Sequence, residues 1–332
     1  MTPPLITLEE HFFSSAVPDI LKQSYSEQLK NVPGIHDKLR DLGALRQRDM
    51  DTGKVSLQVV SHAPGLSPFP DACRAANDQL AAAIKAEEIR AGGAAGKSRF
   101  AGFAVAPMGH PAEAAAELRR AVGELGFVGA LVDNHNDGRF FEGDEYDVWW
   151  QAAEELGVPV YLHPSWPSGD MAARFEGNFS GAAAISMSSS GLSWHTETAL
   201  HVLRLFASGL FDRRPKLKIV IGHMGETIPF MLQRIQVLSR RWGEFRRDFR
   251  TVYDENIWIT TSGVWSIDPL RCILANTKLD HILYSVDYPF QRNEVGLEWI
   301  EELEQSGLVS EEQLRAIAYE NAQKLLGVKV PE

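Results

Sequence analysis

The chain opens with LITLEEHFF (residues 5–13), an apolar run that ends in two carboxylates and an imidazole. A short, partly β-branched apolar run is typical of a buried strand. Because side chains alternate along a strand, Glu9 and His11 are predicted to project to one side and Glu10 to the other. A surface turn tolerates such a triplet and a metal site can use it, so the choice depends on partners elsewhere in the chain.

Seven further runs of the same type follow, with amphipathic stretches between them. Short strands that are apolar throughout are typical of parallel pairing with both faces covered. Eight such units favour an α/β fold of the (β/α)8 TIM-barrel type. The alternative, a doubly wound sheet, usually carries a glycine-rich turn after its first strand, and residues 8–15 contain no glycine. The predicted strands are Leu5–Glu9, Val55–Ser61, Phe100–Ala106, Phe127–Val132, Pro159–Leu162, Lys218–Ile221, Ile257–Thr261 and His281–Ser285.

Two connections are unusually long and leave the carboxyl ends of strands one and five, at residues 14–54 and 165–194. Loops of this kind often act as lids. No shift in composition marks a linker, so residues 1–332 are predicted to form a single domain. Ser310 begins a capping box whose helix is predicted to run to Gly327. The other predicted helices are Asp71–Glu88, with Asp71 as its N-cap, Pro111–Leu125, Tyr146–Leu156, Thr196–Ser208 and Glu226–Trp242.

The composition argues against several classes of partner. The formal net charge is −11 and no block of like charge occurs, which disfavours nucleic acid and anionic membranes. The N-terminus lacks the pattern of a signal peptide, and no apolar run approaches the roughly 18 residues of a membrane span. Cys73 and Cys272 lack metal-type spacing and are interpreted as buried free thiols. A cytoplasmic location is therefore predicted.

Polar residues are concentrated where the predicted strands end, and in a barrel these ends share one rim. Four of the ten histidines occupy such positions. A lone histidine or aspartate there is more often structural, but a mixed set of two histidines and two carboxylates on one rim favours a metal site. Mixed imidazole and carboxylate ligands suit Zn²⁺ or Mn²⁺. The predicted ligands are Glu9, His11, His163 and Asp287, and the other rim residues are His62, Asp133, Asn134, His223 and Ser262.

Four motifs occur in order along nearly the whole chain: Glu9-x-His11, HP at 163–164, GHMGE at 222–226 and DYPF at 287–290. This ordered set resembles the amidohydrolase-related decarboxylases, a family that includes aminocarboxymuconate-semialdehyde decarboxylase and the hydroxybenzoate decarboxylases. The opening LEEHF is similar to the hydroxybenzoate branch, such as γ-resorcylate and 2,3-dihydroxybenzoate decarboxylase. The resemblance implies one divalent ion, no organic cofactor and a homodimer or homotetramer.

The resemblance also implies roles for individual residues. The same four ligands would hold the ion, His223 would lie beside its open position, and Glu226 would hold His223. Arg234 matches an arginine that lies near the substrate in the family. The family often has Asn at the end of strand four, where this chain has Asp133 followed by Asn134, so either residue could contact the substrate.

Loss of CO₂ from an aromatic acid becomes possible when an ortho hydroxyl allows protonation of the carboxylate-bearing ring carbon. Asp287 is the candidate acid, and His223 is expected to tune its proton. Phe13, Trp166 and Phe290 adjoin the ligands in sequence and are candidates for ring contacts. The remaining histidines that we place in structural or surface roles are His135, His195 and His201, while His62 has no assigned role.

The rival function is a mononuclear metal-dependent hydrolase, either an amidohydrolase or a lactonase. A two-metal version is disfavoured because it generally uses a bridging lysine at strand four, and residues 127–134 contain none. A third alternative is a non-catalytic binding protein. Among decarboxylase substrates, γ-resorcylate, 2,3-dihydroxybenzoate, salicylate and orsellinate-type acids are not distinguished by the sequence.

Overall fold

The computed structural model describes residues 2–30, 32–92 and 98–331. Eight parallel strands lie in sequence order, β1 to β8, and helices surround them, which confirms the (β/α)8 barrel. Their short apolar sequences suit this position, because each strand is covered both by the barrel interior and by helices. The strands are β1 Leu5–Phe12, β2 Val55–His62, β3 Phe100–Ala104, β4 Gly129–Asp133, β5 Pro159–His163, β6 Lys218–Ile221, β7 Ile257–Thr260 and β8 Ile282–Leu283.

The helices occupy the connections, including both of the long ones. The connection after β1 contains α1 to α3, and the connection after β5 contains a 3-10 turn, α7 and the start of α8. The helices are α1 Asp19–Gln28, α2 Ile35–Arg40, α3 Ala44–Thr52, α4 Pro70–Arg90, α5 Pro111–Gly123, α6 Asp147–Leu156, α7 Gly181–Ser188, α8 Ser193–Ala207, α9 Leu210–Arg213, α10 Ile228–Leu238, α11 Phe249–Asn256, α12 Ile267–Asn276, α13 Asn293–Ser306, α14 Glu311–Arg315 and α15 Asn321–Leu326.

Three local predictions need correction. The helix expected from Glu226 begins at Ile228, because the residues before it form a left-handed turn. Helix α4 has Phe69 rather than Asp71 at its N-cap. The capping box at Ser310 is confirmed, but a π-helical turn separates α14 from α15 before the chain reaches Gly327.

Burial divides the apolar residues into two clusters. One fills the barrel interior and includes Leu8, Phe103 and Tyr161, and the larger one lies between the strands and the helices. All eight residues of β1 are buried, including its charged ones. Cys73 is buried as expected, whereas Cys272 is half-buried, and both are free thiols. Among the described residues, no helix combines the length and the apolar character needed to cross a bilayer.

The barrel closes differently at the seam between β8 and β1. Seven neighbouring strand pairs, from β1–β2 to β7–β8, have parallel ladders, and within the described residues no such ladder joins β8 to β1. Instead, the backbone N–H groups of Leu8 and Glu9 donate to Ser285 Oγ at 3.0 and 2.9 Å. The N–H of His11 donates to the carbonyl of Tyr288 at 2.6 Å. A side-chain oxygen therefore accepts some of the hydrogen bonds that close the barrel between β8 and β1.

Close packing of α3 against α13 gives a test of the fold. A β-carbon at Gly53 would lie 2.3 Å from Asn293 Cβ and 2.7 Å from its carbonyl oxygen. We expect Gly53→Ala to lower the free energy of unfolding by about 1–3 kcal/mol, because a backbone must move to relieve the overlap. Urea denaturation measures this.

The matched control is Gly123→Ala at the end of α5, where no atom lies within 4 Å of the added β-carbon. We expect the free energy of unfolding to stay the same or to rise by up to about 1 kcal/mol, since alanine favours the helix. Equal unfolding curves for the two variants would contradict the described packing.

Candidate metal centre

Four side chains from three distant parts of the chain converge at the rim. Glu9 and His11 come from β1, His163 ends β5, and Asp287 follows β8. One ligand atom of each lies within 4.8 Å of those of the others. His163 Nε2 is 3.2 Å from Glu9 Oε1, and His11 Nε2 is 3.4 Å from Asp287 Oδ1. The structure thus brings together all four residues that the sequence predicted as ligands.

Several atoms of this group are buried without a hydrogen-bond partner among the described residues. They are Glu9 Oε1, both ring nitrogens of His11, and Asp287 Oδ1. A buried polar atom that lacks a partner costs free energy, so such atoms are rare unless something else satisfies them. A divalent cation among the four side chains would satisfy them, and its ligands would be two imidazoles and two carboxylates. The residues present therefore fit a single divalent ion.

Further contacts orient two of the predicted ligands. His163 Nδ1 donates to the carbonyl of Pro164 at 2.7 Å, which turns Nε2 toward the centre of the group. The second oxygen of Glu9, Oε2, accepts hydrogen bonds from the hydroxyls of Tyr161 and Ser262. Thr260 Oγ1 completes this group at 2.9 Å from the Tyr161 hydroxyl and 2.7 Å from Ser262 Oγ. Because these hydrogen bonds hold Oε2, the other oxygen, Oε1, faces the other predicted ligands.

Local pattern does not assign these hydroxyl residues to the site. It places Ser262 at a strand end without a role and Tyr161 within a strand. A signal was present, because Tyr161 precedes His163 by two positions and therefore points to the same face of β5.

A second group, His223, Glu226 and His195, adjoins the first. His223 Nδ1 is 2.8 Å from Glu226 Oε1, and His223 Nε2 is 3.8 Å from Glu9 Oε1. His195 Nδ1 is 2.7 Å from Glu226 Oε2. The contact between Glu226 and His223 is the one that the family resemblance implied. Its sequence position predicts a structural or surface role for His195, but in the structure His195 contacts Glu226 from α8. No local pattern predicts that contact.

The GHMGE motif adopts a left-handed turn. Residues 223–227 all have positive φ, from +48° at His223 to +85° at Gly225. This conformation costs roughly 1 to 2 kcal/mol for a residue with a β-carbon. Such strain is typical of functional sites, where surrounding contacts maintain it. Here the contact between His223 and Glu226 spans the turn and keeps the imidazole beside Glu9.

Burial and charge shift the proton affinities of the group. Burial, together with the negative charge of Glu9, raises the pKa of Asp287 well above its usual range. For His223, burial alone would lower the pKa, but the carboxylates of Glu226 and Glu9 outweigh it and raise the pKa to about 10. For Glu9, burial opposes ionisation, but the charge on His223 and the contact with His163 lower the pKa. The site therefore favours protons on His223 and Asp287 and an ionised Glu9.

The predicted aromatic contacts lie at different places. The Phe290 ring is 5.6 Å from the His11 ring, beside the ligand group. Trp166 is half-buried, and its ring is 5.3 Å from that of Trp194. Phe13 packs against Tyr25 and His62, with ring centroids 4.8 and 5.5 Å away. Phe290 is thus the aromatic residue nearest to the ligands by these contacts.

Asp133 and Asn134 have separate environments. Asp133 accepts from the Gly65 N–H at 3.0 Å and from Ser67 Oγ at 3.1 Å, and burial raises its pKa to about 6. It lines a cavity of about 600 Å³ that Trp166 also lines. Asn134 is fully buried and accepts from Ser165 Oγ at 2.7 Å.

Arg234 and His62 are not directed at the ligand group. Arg234 is exposed on α10, and the described residues give it no hydrogen bond or ion pair. His62 is buried, and its Nε2 accepts from the Ser14 N–H at 3.0 Å. His62 therefore orders the chain after β1, a role that the sequence left unassigned.

A barrel of parallel strands with imidazoles and carboxylates at the carboxyl ends of its strands has the architecture of a metal-dependent barrel enzyme. The chain belongs to the amidohydrolase family: residues 38–328 match the family described as Amidohydrolase. Within that family it groups with the carboxy-lyases, since similar proteins bear the names of decarboxylases.

Three similar proteins illustrate this grouping. Decarboxylase orsB of Emericella nidulans is 54% identical over 333 residues, which cover 99% of this chain and 98% of the relative. Gamma-resorcylate decarboxylase of Polaromonas sp. is 33% identical, with 96% and 97% covered. A solved dihydroxybenzoic acid decarboxylase from Polaromonas sp., with bound manganese and the inhibitor 2-nitroresorcinol, superimposes with a TM-score of 0.84 at 31% identity, covering 98% and 97%.

Metal binding can be tested with two equally buried histidines. His11 and His201 are both fully buried, but only His11 belongs to the ligand group. Loss of a residue that supports a metal ligand commonly costs 10- to 100-fold in affinity, so loss of a ligand itself should cost at least about 100-fold. We expect His11→Gln to weaken Mn²⁺ binding by at least that factor in calorimetric titration of chelator-treated protein. His201→Gln should retain wild-type affinity, and a similar loss in both variants would argue against the assignment.

Proposed function

We propose that this chain is a metal-dependent, non-oxidative decarboxylase of an ortho-hydroxybenzoic acid. The observation that carries the proposal is the set of buried, unpartnered ligand atoms on the barrel rim. The names of the similar proteins support the reaction type, and the manganese in a solved relative supports a divalent ion. The hydrolase alternative is less favoured, because the relative that is 54% identical is named a decarboxylase.

The proposed cofactor is one divalent ion, Zn²⁺ or Mn²⁺, held by Glu9, His11, His163 and Asp287. When bound, such an ion would orient the substrate carboxylate and ortho oxygen and stabilise negative charge there. No organic cofactor is needed, because the protonated ring itself accepts the electron pair of the breaking carbon–carbon bond. A single barrel domain and a cytoplasmic location remain predictions.

Asp287 is the proposed proton donor. Its carboxyl would take a proton from the substrate hydroxyl or from His223 and transfer it to the carboxylate-bearing ring carbon. The bond from that carbon to the carboxylate then breaks, its electron pair restores the aromatic ring, and CO₂ leaves. The net change is replacement of the carboxylate by a proton. His223, which contacts Glu226 and lies 3.8 Å from Glu9 Oε1, is proposed to tune the proton of Asp287.

Substrate contacts are proposed for Phe290, Trp166, Asn134 and Phe13. Phe290 is adjacent to the ligand group, and Trp166 lines the cavity of about 600 Å³ at the rim. Asn134 would act by ordering Ser165, which lies in the loop after β5. Phe13, which directly follows β1, would act through its packing on His62.

A homodimer or homotetramer is proposed as the working assembly. Phe230 and Met231 on α10 are about half exposed, at 54% and 46%, and Arg234 is exposed on the same helix. Burial of this apolar surface against a second copy would be favourable. Within one chain Arg234 is exposed and has no contact with the ligand group, so the position near the substrate that the family resemblance implies for it depends on a change in its surroundings, such as assembly.

The reaction type can be tested with paired substrates. We expect release of CO₂ from at least one acid among salicylate, γ-resorcylate, 2,3-dihydroxybenzoate and orsellinate, because each has an ortho hydroxyl. The matched control is 4-hydroxybenzoate, which lacks it and should release none. Release should disappear after chelation and return with Mn²⁺ or Zn²⁺. Metal-loaded protein that releases no CO₂ but cleaves esters or lactones would favour the hydrolase.

The proton donor can be tested by Asp287→Asn. Loss of a general acid typically costs 10²- to 10⁴-fold, so we expect kcat to fall at least about 100-fold. The other three ligands should retain measurable Mn²⁺ binding, which separates loss of the acid from loss of the ion. A metal-loaded Asp287→Asn enzyme with near-normal kcat would exclude this role.

A further inference from the structure

We infer that Glu10 is a positioning residue for Asp287, and that its carboxylate sets the geometry of the metal centre from within β1. This inference rests on the proposed metal-dependent function. Strand alternation predicts only that Glu10 projects to the side opposite Glu9 and His11, and it assigns Glu10 no role in the site.

The contacts of Glu10 are all with the segment that carries Asp287. Glu10 is fully buried, and its Oε1 accepts from Ser285 Oγ at 3.0 Å and from the Val286 N–H at 3.1 Å. Its Oε2 accepts from the Tyr288 N–H at 3.0 Å. One carboxylate therefore binds the two peptide N–H groups on either side of Asp287.

Asp287 needs such support because regular strand structure ends before it. The ladder of β8 extends only to Leu283, four residues earlier. Asp287 itself has a φ of +77°, which is unfavourable for a residue with a β-carbon. Buried N–H groups at Val286 and Tyr288 would also lack partners if the carboxylate were absent. The Glu10 contacts satisfy both groups and define the backbone from which the Asp287 side chain extends.

The position of Glu10 couples this support to the other ligands. Glu10 lies between Glu9 and His11 on β1. A change in the contacts of Glu10 would therefore move Asp287 relative to these two predicted ligands. The N–H of His11 donates to the Tyr288 carbonyl at 2.6 Å, which adds a backbone contact between the same segments. On the far side, the Arg46 guanidinium lies over the Tyr288 ring at 4.8 Å.

A purely structural role for Glu10 is the competing explanation, since it also helps to close the barrel seam. The two roles differ in what a substitution changes. Substitution of a purely structural residue lowers stability alone. Substitution of a positioning residue also weakens metal binding and slows the proton transfer in protein that remains folded.

The test is Glu10→Gln, compared with Glu87→Gln. In Glu10→Gln one oxygen becomes an NH₂ group, which would face a backbone N–H instead of accepting from it. Glu87 is a matched control, because it is 4% exposed and its carboxylate binds Gln47 and Arg90, neither of which belongs to the site. Mn²⁺ affinity, kcat, KM and thermal unfolding are measured for both variants and the wild type.

We expect Glu10→Gln to weaken Mn²⁺ binding about 10- to 100-fold and to lower kcat more than it changes KM. Glu10→Asp, which keeps both oxygens but shortens the side chain, should fall between this variant and the wild type. Glu87→Gln should bind Mn²⁺ and turn over substrate as the wild type does, even where its thermal stability falls.

Wild-type Mn²⁺ affinity and kcat in folded Glu10→Gln would overturn the inference and leave the proposed function intact. Equal losses in Glu10→Gln and Glu87→Gln would also overturn it. Failure of the wild type to bind either Mn²⁺ or Zn²⁺ would instead refute the proposed function. If Glu10→Gln does not fold, Glu10→Asp decides, because it keeps both oxygens but draws them back from the N–H groups of Val286 and Tyr288. The inference then requires weaker Mn²⁺ binding in Glu10→Asp than in the wild type.

Discussion

The closure of the barrel between β8 and β1 is the constraint on which the site depends. The chain must return after eight strands and place Asp287 beside His11, although the β8 ladder contains only two residues. Because so short a ladder cannot define the backbone beyond it, hydrogen bonds that Ser285 Oγ and the Glu10 carboxylate accept complete the seam. These bonds lie in the buried interior, where polar contacts are stronger and where an unmade contact costs more.

The same burial also explains the electrostatics of the candidate metal centre. Two carboxylates and several imidazoles are buried together there, so their charges are only partly screened. Glu9 remains ionised because His223 and the surrounding hydroxyls favour the charged form, whereas Asp287 favours a proton. The same neighbours thus favour the ionised form of one carboxylate and the protonated form of the other.

Much of the framework was predictable from local pattern. The eight apolar runs predicted the barrel strands to within a few residues, because a strand buried on both faces needs an apolar sequence of its own. The meeting of the four candidate ligands was predictable because parallel strands share one rim, and because Glu9 and His11, two positions apart, lie on one face of their strand. Predictions failed where a long-range contact overrode local preference. Local pattern begins a helix at Glu226, but Glu226 contacts His223 within a left-handed turn and the helix begins at Ile228.

The sequence by itself determined the barrel class, the rim and the four residues that meet there. It could do so because strand periodicity and the order of the strands are local or topological properties. Only the tertiary structure decided which residues support those four. Glu10 and Ser285 are 275 positions apart, and His195 reaches Glu226 from a helix in a long connection. Such contacts depend on how the barrel closes and how its loops fold back, and no periodic pattern in the chain encodes the distance between them.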